Sequence, residues 1–247
     1  MNMITAQRPP DSMQKPPEAI AHRGVRDRYP ENSLPAFVAA LDAGADAIEL
    51  DVHATVDGVP VVHHDPVLPA SSTSPLAGRA IAALESTELA KFELAQGVAL
   101  PTLEEILTAV TLRARVYIEI KGAEIEEAVA AVLARIPAAK TSCAIHSFDH
   151  RIVQRFRRVA PAIPTGILLV GYPVDAPSLL HAAGARDLWQ SYEFIDRDLV
   201  TSVHRARGRV IAWTCNEPAE WKQLRDLGID GICTDRTAAL VDWMSKE

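Results

Sequence analysis

The stretch from Ala19 to Asp65 decides how this chain reads: AIAHRG at Ala19–Gly24, PENS at Pro30–Ser33 and GADAIELDVHATVDGVPVVHHD at Gly44–Asp65. Two short apolar runs end in polar residues, and an Asp57-Gly58 turn folds a third run, Val59–His63, back beside the second as a hairpin. His22, Arg23, Glu49, Asp51 and His64 are thereby offered to one locality. Glu49 and Asp51 are two apart on a predicted strand, so both point to one face while Leu50 points away. Paired carboxylates flanked by two histidines and an arginine suit a hard divalent cation and an anionic substrate. The pattern is that of metal-assisted phosphate-ester chemistry.

Outward from this stretch, strand-like runs alternate with stretches of helical period. Ser33 is placed to cap a helix through Ala43, with Pro35 in its first turn and Gly44 at its end. The segment Pro66–Leu100 is irregular, with a helical piece expected at Ser86–Phe92, and its length marks a functional loop or a small insertion. From Thr102 the rhythm resumes, with strands expected at Val116–Lys121, Cys143–Ser147, Thr165–Val170, Asp187–Tyr192, Val210–Cys215 and Gly231–Thr234. With Ala19–His22 and Ala47–Ala54 these make eight strands, separated by helices. Eight β-α units in a chain of 247 residues predict an α/β fold, a (β/α)8 TIM barrel with a small insertion after the second strand. A doubly wound sheet is the runner-up, but HRGVRDRYPENS after the first strand is no Gly-rich phosphate turn. The domain reading is a disordered lead-in over residues 1–18 and one barrel over residues 19–247, with the insertion at about 66–100.

The bulk composition narrows the function. A hydrophobic fraction of 48% and a charged fraction of 23% are those of an ordinary globular domain with a sizeable core. The net charge of -7 argues against a nucleic-acid partner, so a phosphate substrate must be drawn by local positive charge. No apolar run is long enough to cross a bilayer, and no stable membrane association is expected. Cys143, Cys215 and Cys233 lie apart in apolar runs and read as buried free thiols, which fits a cytoplasmic location.

In a barrel the C-terminal ends of the strands form the active site, and the polar residues here cluster at those ends. Glu119 and Lys121 repeat the spacing of Glu49 and Asp51 on the neighbouring barrel strand. Three carboxylates without a thiolate favour Mg²⁺, Ca²⁺ or Mn²⁺ over zinc. His22 and His64 are the acid and base candidates, since imidazole titrates near neutrality. Alternation lets only one of His63 and His64 face inward; Asp65 either holds the His64 ring or ends the hairpin. His53 is placed behind that pair, whereas His146, His150, His181 and His204 read as ordinary strand-end or helix-surface residues. Arg23 and Lys121 bind phosphate or neutralise the carboxylates, and Trp213 walls the pocket or is plain core. For Glu31 and Asn32, capping or bracing of the loop is the expected role.

These residues resemble the glycerophosphodiester phosphodiesterase family. The matching pieces are HRG, PENS, GADAIELDV, T-x-DG at Thr55–Gly58 and VxHHD at Val61–Asp65. They continue with LPTLEEIL at Leu100–Leu107, YIEIKG at Tyr117–Gly122, SFD at Ser147–Asp149, WTCN at Trp213–Asn216 and GIDGICTD at Gly228–Asp235. The resemblance implies a TIM barrel that hydrolyses glycerophosphodiesters to sn-glycerol 3-phosphate and an alcohol with a divalent metal. It implies His22 and His64 as catalytic, Glu49, Asp51 and Glu119 as metal ligands, and Arg23 and Lys121 at the phosphate. Departures are mild: Ser33 stands where threonine is common, TDRT replaces TD-x-P, and the Pro66–Leu100 segment follows the pattern loosely. That segment overhangs the pocket in the family, which ties it to the choice of alcohol. The alternatives are a lysophospholipase D, which needs a greasy entrance, and a barrel that binds phosphodiesters without catalysis.

Overall fold

The period-2 runs of the sequence close into a barrel in the computed structural model, which describes residues 16–70 and 72–246. The strands are β1 (Glu18–His22), β2 (Ala47–Ala54), β3 (Pro60–Val62), β4 (Arg115–Ile120), β5 (Cys143–Ser147), β6 (Thr165–Leu169), β7 (Asp187–Ser191), β8 (Arg209–Trp213) and β9 (Gly231–Thr234). Their order is β1-β9-β8-β7-β6-β5-β4-β2-β3, and pairing of β1 with β2 closes an eight-stranded parallel barrel. The hairpin strand β3 lies outside that ring, antiparallel to the last residues of β2. Of the lead-in expected over residues 1–18, residues 1–15 lie outside the described residues, and Glu18 already belongs to β1.

Alternation sorts each strand into two faces. Ile48, Leu50, Val52, Ile118, Ile120 and Ile145 turn outward and pack on helix residues such as Phe37, Leu103, Ile106 and Phe156. Leu188, Val210, Ala212 and Ile232 do the same on the other half, against Trp221, Leu224 and Leu240. The barrel interior is filled by Ile20, Ala47, Tyr117, Ala144, Leu168, Trp189, Ile211 and Cys233. A one-residue slip of β2 would drive Glu49 and Asp51 into the helix layer and Leu50 into the barrel. Burial of its outward aliphatics, each worth roughly 1.5–3 kcal/mol, therefore also fixes which way the carboxylates point.

The N-terminal end of the barrel is closed by polar side chains that satisfy one another. Glu18 accepts hydrogen bonds from Tyr117 (2.6 Å), Arg115 (2.7 Å) and Arg209 (2.9 Å). Burial works against its charge, but Tyr117 and Arg209 outweigh it and hold the Glu18 carboxyl below the usual range. Burial pushes the Tyr117 hydroxyl up to about 12, so it stays a donor there.

Local signals end the elements where expected, with small corrections. Ser33 caps the helix Leu34–Asp42, and Thr102 with Glu105 forms a capping box for Leu103–Val110. β8 ends at Trp213, so Cys215 lies in the following loop, and Lys121 stands one residue beyond β4. In the insertion, the helix stops at Leu89, where a tight Phe92 N–H to Leu89 carbonyl bond of 2.8 Å turns Phe92 inward. There it joins Val61, Leu68, Ile81, Leu84, Leu89 and Leu100 in a small core of their own. Asp57 of the hairpin turn pins this segment by accepting from the Ser86 hydroxyl (2.6 Å) and backbone N–H (2.9 Å). The three cysteines are buried and free. Among the described residues, no helix is long and apolar enough to cross a membrane.

Candidate active site

Strand register assembles the site. His22 of β1 stands opposite Glu49 of β2, Asp51 of β2 opposite Glu119 of β4, and Glu119 opposite His146 of β5. Residues paired across adjacent strands point the same way, so these five side chains enter the C-terminal end of the barrel together. Beyond them, Lys121 lies 3.4 Å from Glu119 Oε1 and 3.6 Å from Asp51 Oδ1.

The three carboxylates differ in surroundings. Burial pushes Glu49 up to about 7, with the charge of Asp51 adding to the effect. Burial likewise takes Glu119 to about 7, against the opposing influence of His146. Asp51 goes the other way although it is equally enclosed. Its burial is outweighed by Arg23, Asn32 and Lys121, which hold it below the usual carboxylate range. Asn32 Nδ2 donates to Asp51 Oδ2 at 2.8 Å, and its Oδ1 accepts the Asp51 backbone N–H at 3.3 Å. Arg23 Nε lies 3.0 Å from the same Oδ2 as a close ion contact, not an aligned hydrogen bond. Glu31 bridges Arg23 (3.1 Å) and Arg26 (2.9 Å). Glu31 and Asn32 thus brace the site itself, a larger part than the loop bracing expected of them.

The His22–Gly24 turn makes this possible. Arg23 and Asn32 both take left-handed backbone angles, φ 56° and 57°, and the Asn32 N–H donates to the Arg23 carbonyl at 3.0 Å. Gly24 (φ +83°) packs so closely on the following helix that a Cβ there would meet the Ala36 carbonyl carbon at 2.6 Å.

Each candidate histidine is held by an aspartate. His22 Nδ1 lies 2.7 Å from Asp235 Oδ1, and His64 Nδ1 lies 2.7 Å from Asp65 Oδ1. An ionised carboxylate only accepts, so Nδ1 carries the proton in both rings and Nε2 is left for proton transfer. Asp235 is steadied by Asn216 Nδ2 at 3.0 Å and Arg26 at 3.1 Å. Burial opposes its charge, but His22, Asn216 and Arg26 together outweigh this and keep Asp235 well below the usual carboxylate range. The hairpin pair separates as alternation requires. His64 is close enough for its charge to act on Asp51, whereas His63 is buried, acts on His53 and bonds the Asp65 carbonyl at 2.9 Å. His53 Nε2 in turn bonds the His64 carbonyl at 3.1 Å, which places it behind the pair.

Trp213 packs on the interior cluster and meets Phe148 edge-on, with ring centroids 5.3 Å apart. His146 is not the ordinary strand-end residue expected. It is 1% exposed, stacks on Trp189 at 4.2 Å, and its Nε2 lies 3.7 Å from Glu49 Oε1. The signal was available in β5, where Ile145 faces the helices and Ala144 and His146 must face the barrel. Asp235 was legible only as a polar strand end, since nothing local ties it to His22.

The donor set suits a divalent cation. Glu49 Oε2 and Asp51 Oδ1 are buried with no hydrogen-bond partner, an expensive state that an ion between them would relieve. One donor atom each from Glu49, Glu119 and His146 lies within 4.8 Å of the others, so these three could hold a metal ion. Asp51 falls outside that tight group, being turned toward Arg23, Asn32 and Lys121.

Comparison with known proteins converges on one family. Residues 22–239 match the glycerophosphoryl diester phosphodiesterase family. A glycerophosphodiester phosphodiesterase of Bacillus altitudinis is 30% identical over 232 residues, covering 87% of this chain and 93% of its own. The crystal structure of a glycerophosphodiester phosphodiesterase from Parabacteroides distasonis aligns with a TM-score of 0.81 at 25% identity, over 94% of this chain and 99% of that one. An Oleispira antarctica phosphodiesterase, solved with the product sn-glycerol-3-phosphate, shares the fold: TM-score 0.81, 24% identity, 93% of this chain and 97% of that one.

Proposed function

Because the chain belongs to the glycerophosphoryl diester phosphodiesterase family and is a phosphoric diester hydrolase of that type, we propose that it uses one divalent cation and the pair His22 and His64. The products are sn-glycerol 3-phosphate and an alcohol, and the substrate is a small glycerophosphodiester. One observation carries the reading: two histidine–aspartate dyads, each at 2.7 Å, accompany the buried carboxylates Glu49, Asp51 and Glu119.

Glu49, Asp51 and Glu119 would hold the cation, which when bound supplies positive charge to a phosphoryl oxygen. Arg23 and Lys121 now compensate the carboxylates. With a cation held by those carboxylates, Arg23 and Lys121 would be left to bind phosphate, Arg23 as a fork and Lys121 as a point charge. One histidine accepts the proton of the attacking hydroxyl through Nε2, and the other donates a proton to the departing alkoxide. Asp235 and Asp65 stabilise each ring when it is charged, and Trp213 positions the bound diester.

The test separates acid from base by leaving group. A glycerol-type alkoxide needs a proton to leave, whereas p-nitrophenolate does not. His22→Ala and His64→Ala should each lose about 10²–10⁴ in rate on a natural diester. The variant lacking the acid should recover on the p-nitrophenyl diester. Equal losses on both substrates for both variants would refute the division of labour, and a near-normal His64→Ala beside an inactive His63→Ala would reassign the residue.

One observation favours a second reading. Phe148 and Tyr172, in the loops after β5 and β6, are 48% and 60% exposed, an apolar presence that a lysophospholipase D would use. Turnover of glycerophosphocholine, glycerophosphoethanolamine and lysophosphatidylcholine discriminates the two.

A further inference from the structure

We propose that His146 is a direct nitrogen ligand of the divalent cation, and that the site therefore selects a first-row transition ion such as Mn²⁺ over Ca²⁺ or Mg²⁺. This rests on the reading that the enzyme binds a divalent ion at its carboxylates.

Three observations carry it. First, the register of β4 and β5 sets His146 beside Glu119, and its donor atom lies within 4.8 Å of donors from Glu49 and Glu119. Second, its Nε2 stands 3.7 Å from Glu49 Oε1, beyond hydrogen-bond reach but near enough for both to meet one ion, while Glu49 Oε2 has no partner. Third, the ring is fixed. It stacks on Trp189 at 4.2 Å and 7°, and Trp189 is itself wedged edge-on against Tyr117 at 4.9 Å. Asp51 keeps its Oδ1 free of hydrogen bonds while Arg23 and Asn32 hold its Oδ2, so His146 adds a nitrogen to the carboxylate donors and does not replace one.

The chemical consequence is selectivity. Ca²⁺ and Mg²⁺ gain most from oxygen donors, whereas transition ions also gain from imidazole. The whole enzyme, stripped of metal, is titrated calorimetrically with Mn²⁺ and with Ca²⁺, in wild type and His146→Gln. Pulsed electron paramagnetic resonance of the Mn²⁺-loaded protein then reads nitrogen coupling. Wild type should bind Mn²⁺ more tightly than Ca²⁺ and show coupling to one nitrogen. His146→Gln should lose that coupling and lower the Mn²⁺-to-Ca²⁺ affinity ratio by about tenfold or more, with Ca²⁺ affinity little changed. Mn²⁺ bound without nitrogen coupling in wild type, or coupling that survives in the variant, overturns the inference and leaves the metal-dependent reading standing. Failure of both ions to bind wild type overturns both readings. Should His146→Gln not fold, wild type labelled with ¹⁵N-histidine decides whether a histidine ligates. His146 is the histidine of the donor group among the described residues.

Discussion

Replacing Asp235 with asparagine should slow the reaction while leaving substrate binding nearly intact. The carboxylate holds His22 Nδ1 at 2.7 Å and leaves Nε2 as the nitrogen open to proton transfer. A hydrogen bond to a charged partner is worth about 1.5–3 kcal/mol, which at about 1.4 kcal/mol per decade corresponds to about 10- to 150-fold in rate. The Asp235 side chain is 28% exposed, so solvent screening places the loss in the lower part of that span, about 10- to 50-fold. The loss should fall on kcat, because Asp235 reaches the substrate only through the ring. Asp65→Asn is the internal control. Its contact with His64 is equally short, but Asp65 is 64% exposed, and its loss should stay below about tenfold. Steady-state kinetics on a natural diester with saturating metal measures both. An Asp235→Asn enzyme within threefold of wild type would refute the orienting role.

The same variant carries a stability signature. Asp235 has a depressed carboxyl in the folded protein, so between its folded and ordinary values the unfolded chain binds more protons. Its contribution is therefore present above about pH 4 and is lost as pH falls below that value. Thermal melts of Asp235→Asn should show a shallower acid decline than wild type.

Chelation should abolish turnover, and Mg²⁺, Mn²⁺ or Ca²⁺ should restore it; full activity in protein shown metal-free by elemental analysis would end the metal-dependent reading. Glu119→Gln should weaken metal affinity and leave the far-ultraviolet circular dichroism unchanged. Trp213→Ala should raise KM for small glycerophosphodiesters by a few-fold or more with kcat less affected. Loss of the thermal transition in that variant would instead assign Trp213 to the core.

The barrel was legible because its determinants are local. Alternation in Ala47–Ala54, the Ser33 cap and the Asp57-Gly58 turn each act over a few residues, and their repetition leaves little choice of architecture. The inward aim of Glu49, Asp51 and Glu119 came the same way, from spacing of two on strands whose other face is aliphatic. What spacing cannot supply is the partner across a long loop of chain. Asp235 reaches His22 from 213 residues away, and Asn32 clamps Asp51 from 19 away. The weight of His146 emerges only when β5 pairs with β4 in a register that puts it beside Glu119. Local sequence sets which face a side chain takes. Closure of the barrel sets what it meets there, because hydrogen bonds and ion contacts act over a few ångströms of space with no regard for distance along the chain.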